Sequence, residues 1–386
     1  MNREDFPMLQ HGYVYFNNAA TTFKPKKVID ALVDYYENYS VNMNRGVDSL
    51  GYQVAQKYED VRLKIAKLFN ARKDEIVFTK GTTEGINLTA QLLKKQLKAS
   101  DEILISDEEH HAVYVTMQQL AKKCNCVFKV VPFEKVVDNI NENTKIVAIS
   151  QKTNVLGKKS DLKAIAKLKT KFEFYFVVDG AQGILYEMID VKKLAIDFYA
   201  FSAHKFYGPL GVGVLYINNA NDYEPVLFGG EMVLDVTYDL TNFKKAPAKF
   251  EAGTMMIPEV IAMDVAIDYF FDLGYEKVNK HIKELRKYLL VEMKKMNDII
   301  IYNEKEVDSG IITFNVKDVH AHDIATFFDK HKIIMRAGHH CAQPLMAKMN
   351  VSATLRLSLA LYNNKEECEK FLQVLMKRGD YVDAIF

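Results

Sequence analysis

Phe201-Ser202-Ala203-His204-Lys205-Phe206-Tyr207-Gly208-Pro209-Leu210-Gly211-Val212-Gly213-Val214-Leu215-Tyr216 is the stretch on which the reading of this chain turns. An apolar, aromatic-rich run at 198–201 reads as a strand ending in Ser-Ala-His-Lys. Glycines and a proline then break the chain before a second strand-like run at 212–217. Lys205 therefore stands at the mouth of a mostly apolar segment. Desolvation in such a place lowers an amine's pKa and leaves it neutral, able to form a Schiff base with a carbonyl. A lone lysine in a loop is more often a plain surface charge. What gives this one weight is the company supplied by other strand ends.

Working outward, a rhythm of short β-branched or aromatic runs, polar turns and helical stretches begins near residue 75. The runs fall at 75–79, 102–106, 127–131, 145–150, 174–178, 197–201 and 212–217, with helical periods such as 86–97 and 162–169 between them. Such alternation predicts an α/β fold with a mostly parallel sheet flanked by helices on both faces. Ahead of it lie a polar arm over 1–16, the segment Asn17-Asn18-Ala19-Ala20-Thr21-Thr22, and an amphipathic helix at 28–39 opened by Pro25. After Thr254 the texture changes. A long helical stretch at 259–296 leads to strands at 299–302, 311–316, 333–336 and 354–359, with helices at 323–330 and 366–377. Asn364 and Glu367 are placed as the N-cap of the last helix and its N3 partner. The expected domains are a large ligand-binding one over 15–255 and a small α+β one built from 1–14, an N-terminal arm, and 256–386.

In open parallel sheets ligands bind beyond the carboxyl ends of the strands. Here those ends carry distinctive polar groups. Gly81-Thr82-Thr83-Glu84-Gly85 offers hydroxyls, backbone N–H groups and a helix start, a combination suited to phosphate. Glu109-His110-His111-Ala112 offers an imidazole to stack on a flat ring, and Asn154 offers an amide at a turn. Asp179, followed by Gly180-Ala181-Gln182, is a carboxylate just past an apolar strand, where it needs a cationic or N–H partner. Together these groups fit pyridoxal 5'-phosphate. Lys205 would form the Schiff base and Asp179 would hold the pyridine nitrogen protonated, with Asn154 and Gln182 at the ring hydroxyl and Thr82 and Thr83 at the phosphate.

Cys341 lies in a loop bracketed by Gly338 and Pro344, preceded by His339 and His340 and close in sequence to Arg336. Cationic neighbours and exposure favour thiolate. The loop alone also admits a buried small hydrophobe or a His-His-Cys metal site. Cys124 and Cys126, a C-x-C pair between helix and strand, and Cys368 in the last helix read as structural.

At 386 residues and 49% hydrophobic, the chain can bury a large core. A net charge of +1 gives no electrostatic footprint for nucleic acid or a membrane surface. No apolar run approaches transmembrane length, and the first residues lack the basic and apolar regions of a signal peptide. Four irregularly spaced cysteines make no disulfide framework. The expected location is cytoplasmic.

Motifs extend from residue 3 to the last helix. They are RxDFPxL at 3–9, NNAATT at 17–22, RG at 45–46, GTTEGIN at 81–87, EHHA at 109–112, NVLG at 154–157 and VDGAQ at 178–182. The long segment at 201–216 follows, then GGEM at 229–232, FEAGT at 250–254, RAGHHCAQPLM at 336–346 and LRLSLALYN at 355–363. In these the chain resembles a fold-type I PLP enzyme of the class V aminotransferase family, specifically a group II (SufS/CsdA-type) cysteine desulfurase. The resemblance implies catalytic roles for Lys205, Cys341 and His110. Lys205 is the Schiff-base lysine, Asp179 the pyridine partner and His110 the stacking ring, with Asn154 and Gln182 on the ring oxygen. Thr82, Thr83, Ser202 and His204 hold the phosphate, and Thr254 reaches it from the other subunit of a homodimer. Arg356 binds the substrate carboxylate, with Ala20, Asn154 and Arg336 beside it, and Cys341 is the nucleophile that takes the sulfur.

The implied reaction converts L-cysteine to L-alanine and leaves a Cys341 persulfide. That sulfur would pass to a small acceptor protein (SufE/SufU-like), for iron–sulfur clusters or other sulfur-transfer biosynthesis, with no resident metal. A selenocysteine lyase acting on L-selenocysteine, or a β-lyase, is the alternative on the same frame. A non-enzymic metal- or sulfur-binding carrier is the alternative of another class. The chain departs from the family pattern at Asn17 (usually Asp), at Asn44 and Asp48 (usually histidines), at Lys158 (usually Thr) and at Met255 (usually Pro).

Overall fold

The computed structural model describes residues 2–43 and 48–378; Arg45 and Gly46, with Asn44 beside them, lie outside the described residues. The chain starts with a short strand, β1 (Val14–Tyr15), and two helices, α1 (Lys26–Asn38) and α2 (Ser49–Phe69). The seven expected runs follow as β2 (Ile76–Thr79), β3 (Glu102–Ser106), β4 (Val127–Val131), β5 (Thr144–Ser150), β6 (Tyr175–Asp179), β7 (Phe198–Ser202) and β8 (Gly213–Ile217). They form one sheet in the order β2-β8-β7-β6-β5-β3-β4. Within it β8 runs antiparallel to β2 and β7, and every other neighbouring pair is parallel.

These strands are apolar along their whole length because both faces are covered. On one face α3 (Thr82–Leu93) and α4 (His111–Cys124) bring Ile86, Leu93, Val113 and Met117 onto Val77, Ile103, Ile105 and Val177. On the other, Phe69 at the end of α2 meets Tyr199 and Phe201 edge-on. A short α5 (Leu162–Leu168) precedes β6. A hairpin of β9 (Val233–Val236) and β10 (Thr241–Phe243), for which the sequence reading gave no expectation, carries exposed Leu234, Val236 and Tyr238.

Helix α2 was also outside the sequence reading, although Val54, Tyr58, Val61, Ile65 and Phe69 repeat at helical spacing and are buried. Asp48 caps it, its carboxylate accepting the Gly51 N–H at 2.6 Å. Asn70 closes it in the left-handed conformation. A buried cation interrupts the apolar stripe. Arg62, 1% exposed, donates from Nη1 and Nη2 to the two carboxylate oxygens of Glu251 at 2.7 and 2.9 Å, and from Nη1 to the Ile76 carbonyl at 2.7 Å. The Phe78 N–H donates to the same Glu251 at 2.8 Å. One carboxylate thus clamps α2, β2 and the segment 250–254 together. Replacing Glu251 with Gln leaves the Arg62 guanidinium with only the more exposed Glu59 carboxylate, at 3.1 Å, as its counter-ion. The expected loss is about 3 kcal/mol of stability, read as a lower urea midpoint at unchanged slope.

The chain divides into two compact units. One comprises Lys27–Gln151 and Ser160–Asp268; the other comprises the described parts of Met1–Lys26, Lys152–Lys159 and Tyr269–Phe386. The stretch expected to be helical at 259–296 is two helices, α6 (Ile257–Leu273) and α7 (Tyr275–Met293), broken at Gly274 with φ 78°. The second unit holds an antiparallel sheet of β11 (Ile299–Ile301), β12 (Ile311–Val316), β15 (Thr354–Ser358) and β14 (Arg336–Gly338), in that order. The run expected as one strand at 333–336 splits into β13 (Ile333–Ile334) and β14. Strand β1 pairs with β13, which ties the N-terminal residues into this unit. Helices α8 (Ala321–Lys330), α9 (Gln343–Lys348) and α10 (Lys365–Met376) complete it. Phe16, Phe314 and Phe328 all pack on Phe371 of α10. The capping box of Asn364 and Glu367 is present as the sequence predicts.

Candidate active site

Two sets of candidate side chains stand out, one in each unit. In the first unit, β7 ends at Ser202 and the loop that follows is closed at its base by Ala203 N–H to Val212 carbonyl at 3.0 Å. Lys205 sits in that loop, in a turn where Phe206 and Gly208 both donate to the Ala203 carbonyl. At the end of β6, Asp179 is 4% exposed and accepts the Ala181 N–H at 2.8 Å. Burial pushes its carboxyl above the usual range, while the Lys205 charge and the Ala181 N–H pull it back. The structure therefore makes the strand-end acid and the strand-end lysine electrostatic neighbours.

His110 is the N-cap of α4, its Nδ1 accepting the Ala112 N–H at 3.0 Å. That bond puts the proton of the neutral ring on Nε2. Thr82, the first residue of α3, donates its N–H to Ser202 Oγ at 2.8 Å, and the two hydroxyls are 2.8 Å apart. Gly81 precedes it with φ 149° and supplies no side-chain cap. A Cβ on Gly81 would stand 2.9 Å from Ser202 Oγ. One on Gly213 would stand 2.5 Å from both Gly81 Cα and the Phe201 carbonyl oxygen. Thr83 is exposed, Gln182 is buried and His204 is half-buried. Thr254 is exposed and, with Met255, lines a cavity of about 540 Å³ bounded by Arg62, Lys244 and Glu251. A buried acid beside a lysine, an imidazole at a helix start and paired hydroxyls at another helix start suit a cationic aromatic ring that carries a phosphate.

In the second unit Arg356 lies in the middle of β15, 1% exposed. Its Nη1 donates to the Asn154 carbonyl at 2.9 Å, while its Nε and Nη2 have no hydrogen-bond partner. Burial and Arg336 pull its pKa down to about 9, against Cys341 and Tyr15, so it stays cationic at neutral pH. Arg336 faces it across the β14–β15 pairing. Two adjacent guanidiniums, one buried with two free donors, call for an anion.

The Asn154 amide donates to the His340 carbonyl at 2.7 Å and leaves its own Oδ1 without a partner. Arg336 Nη2 reaches Cys341 Sγ at 3.5 Å, and the Cys341 N–H donates to His339 Nδ1 at 3.1 Å. His340 and Cys341 both have positive φ, 53° and 57°. The His340 ring is committed to Thr354, its Nε2 donating to that carbonyl at 3.0 Å. Burial and the two arginines push its pKa down to about 2. Ala20 belongs to a segment stitched to β15, where Ala19 N–H donates to Ser358 Oγ at 2.8 Å and Ser358 N–H to the Phe16 carbonyl at 2.6 Å.

Burial pushes Cys126 up to about 11 and Cys368 up to about 12, which keeps both protonated at neutral pH. At the positions that depart from the family pattern, Asp48 caps α2, the Asn17 Oδ1 is buried without a partner, and the Lys158 N–H donates to Thr153 Oγ1 at 3.1 Å. Buried charged residues that the sequence reading assigned no role include Arg62, Glu251, Lys152 and Glu109. Lys152, lowered to about 8 by burial, donates to the Asp308 carbonyl at 2.6 Å and to Gly157 at 3.3 Å, tying down the loop that carries Asn154.

Fold and side-chain sets together define an α/β enzyme frame with a strand-end lysine, a buried acid and a separate anion- and thiol-bearing sheet. The profile of the class V aminotransferases (Aminotran_5) matches residues 14–371, and the chain belongs to that family. A protein of Halalkalibacterium halodurans described as a probable cysteine desulfurase is 42% identical over 385 residues, covering 97% of this chain and 95% of that one. Another so described, from Staphylococcus epidermidis, is 40% identical over 402 residues, with 99% and 97% covered. Among solved structures, the apo cysteine desulfurase of Thermococcus onnurineus NA1 superposes with TM-score 0.92 at 34% identity, covering 97% of this chain and 96% of that one. The cysteine desulfurase CsdA of Escherichia coli, in an S-sulfonic acid form, gives 0.91 at 33%, with 98% and 97% covered.

Proposed function

We propose that this chain is a pyridoxal 5'-phosphate-dependent cysteine desulfurase, converting L-cysteine to L-alanine with the sulfur retained on Cys341. The observation that carries the reading is Arg356: a buried guanidinium with two donors unsatisfied, on a sheet whose next strand holds Arg336 within 3.5 Å of a thiol. A carboxylate satisfies both free donors of Arg356, and the same small amino acid brings a sulfur to Cys341.

Pyridoxal phosphate, when bound, supplies an electron sink that weakens the bonds at the substrate's α-carbon. Asp179, a buried carboxylate near the Lys205 charge, would hold the ring nitrogen's proton. His110 stands to cover the ring face, and Thr82, Thr83, Ser202 and His204 serve the phosphate, with Asn154 and Gln182 at the ring oxygen. Lys205 Nζ would be the residue that anchors the cofactor, and its amine would carry the substrate's α-proton away and return one to the α-carbon. Arg356 orients the substrate through its carboxylate, with Ala20 and Arg336 beside it. Cys341 Sγ, with Arg336 Nη2 at 3.5 Å, takes the sulfur. The carbon–sulfur bond breaks with its electron pair kept by the β-carbon, which takes up the proton given up by the thiol, a sulfur–sulfur bond forms on Cys341, and the carbon skeleton leaves as L-alanine.

The active form is a homodimer, in which the exposed Thr254 serves the other protomer's phosphate. The persulfide passes in the cytoplasm to a small acceptor protein. Among the described residues no helix is long and apolar enough to cross a membrane.

The deciding experiment incubates the cofactor-loaded protein with L-cysteine and a reductant and measures both products. Alanine and sulfide in equal amounts support the reading; pyruvate and ammonia with the sulfide would overturn it in favour of a β-lyase. A second expectation concerns the carboxylate fork. Arg356→Lys keeps the charge but loses the paired donors, and raises KM for L-cysteine about 10- to 100-fold with the cofactor still bound, as steady-state kinetics would report.

A further inference from the structure

Glu109 has no part in the roles assigned above, yet it is 1% exposed and sits immediately before His110. Its carboxyl is gripped from two strands. Ser106 Oγ of β3 lies 2.6 Å from Oε1, and the Ser150 N–H and Oγ of β5 lie 2.8 and 2.6 Å from Oε2. Ser150 is paired across the sheet with Asp179 of β6. The carboxyl thus joins the turn that carries His110 to the strand end beside Asp179.

We propose that Glu109 is a positioning residue for the ring site, acting as a neutral, hydrogen-bonded acid that fixes the His110 turn against the Asp179 strand end. The inference rests on the assignment of His110 and Asp179 to the cofactor ring.

Two facts support the neutral form. Among the described residues its hydrogen-bond partners are two hydroxyls and one N–H, none of them a cation. Burial, and after it the Asp179 charge, raise the carboxyl from 4.5 to about 8 against the Ser106 and Ser150 bonds. The titratable groups at the same sheet edge are Asp179 at the end of β6, Lys205 beyond β7, and Asp107, Glu108 and His110 on the turn itself. A protonated carboxyl and a glutamine amide can make the same set of bonds, since Ser106 can accept where it otherwise donates. Alanine can make none of them.

The test compares Glu109→Gln and Glu109→Ala holoenzymes, with Ser150→Ala as a milder variant should the Ala form not fold. The expected result is that Glu109→Gln stays within about threefold of wild type. Glu109→Ala should weaken pyridoxal phosphate binding by equilibrium dialysis at least about tenfold and lower kcat with KM for L-cysteine unchanged. Ser150→Ala should move the same way by less.

The melting temperature against pH gives a second readout. A carboxyl whose folded pKa lies above its unfolded one contributes stability that is complete below pH 4.5 and drains away as pH rises toward 8. Wild type should therefore lose stability across that window relative to Glu109→Gln. Equal damage from Gln and Ala would overturn the proposal, because charge rather than hydrogen bonding would then matter. Wild-type binding and kcat in Glu109→Ala would overturn it too. Asp179→Asn and His110→Ala run alongside: if neither changes cofactor affinity, absorption or kcat, the underlying assignment of the ring site fails instead.

Discussion

Lys205→Ala is expected to cut turnover of L-cysteine by about a thousandfold or more, while cofactor still binds without a covalent link. The magnitude follows from losing both the anchor and the group that moves the α-proton, since positioned acid–base groups alone contribute about 10²–10⁴. Thr82, Ser202, Asp179 and His110 are untouched by the change and stay on their own strand ends. The measurement pairs steady-state kinetics with borohydride treatment. In the wild type, borohydride fixes the cofactor to the peptide that carries Lys205; in the variant it should fix none. A variant that keeps wild-type activity together with a borohydride-fixable link would remove Lys205 from its role.

Cys341→Ser should abolish persulfide formation and leave the visible absorption of the bound cofactor unchanged. Among the groups assigned to the cofactor only Asn154 shares a unit with Cys341, and its amide bonds the His340 backbone carbonyl rather than the thiol. The substitution alters neither the buried acid nor the phosphate hydroxyls. A serine hydroxyl is a far weaker nucleophile at neutral pH than a cysteine sulfur. Labelling wild type with radioactive-sulfur cysteine in the absence of reductant should mark the peptide with Cys341. It should leave Cys124, Cys126 and Cys368 bare, in keeping with the raised pKa of the last two. Selenocysteine turnover should survive in part, because selenium departs without help from a thiol. Desulfuration of L-cysteine at the wild-type rate by the Ser variant would transfer the chain to the β-lyases.

The seven strands of the large sheet were legible because strands buried on both faces read as unbroken apolar runs, each closed by a polar turn. The positions of Lys205, Asp179 and His110 just at or beyond strand ends were legible for the same reason: a titratable group stands out at the end of an apolar run. Helix α2 went unread although its apolar spacing is regular, and with it went Arg62, whose partner Glu251 is 189 residues away in the chain. No local pattern marks such a pair. Glu109 was in view inside a quoted motif, but only the fold brings Ser106 and Ser150 to its carboxyl and so reveals that it is held. The break at Gly274 could have been read from the glycine itself. The exposed β9–β10 hairpin lacks the buried alternation that gives strands away.

Gly81 and Gly213 meet back to back, with no room for a methyl on the second. One leads into the phosphate hydroxyls of α3; the other follows the lysine loop that ends at Val212. The consequence is historical as much as mechanical. A Cβ on Gly213 meets the backbone of Gly81 and Phe201, whereas one on Gly81 meets the Ser202 hydroxyl, so a lineage drifting at Gly213 meets a dead end unless the neighbouring backbone shifts in the same step. Variation should therefore be frozen across this contact and free to accumulate elsewhere, for instance on the exposed hairpin. A saturation library of Gly213 would show that asymmetry directly.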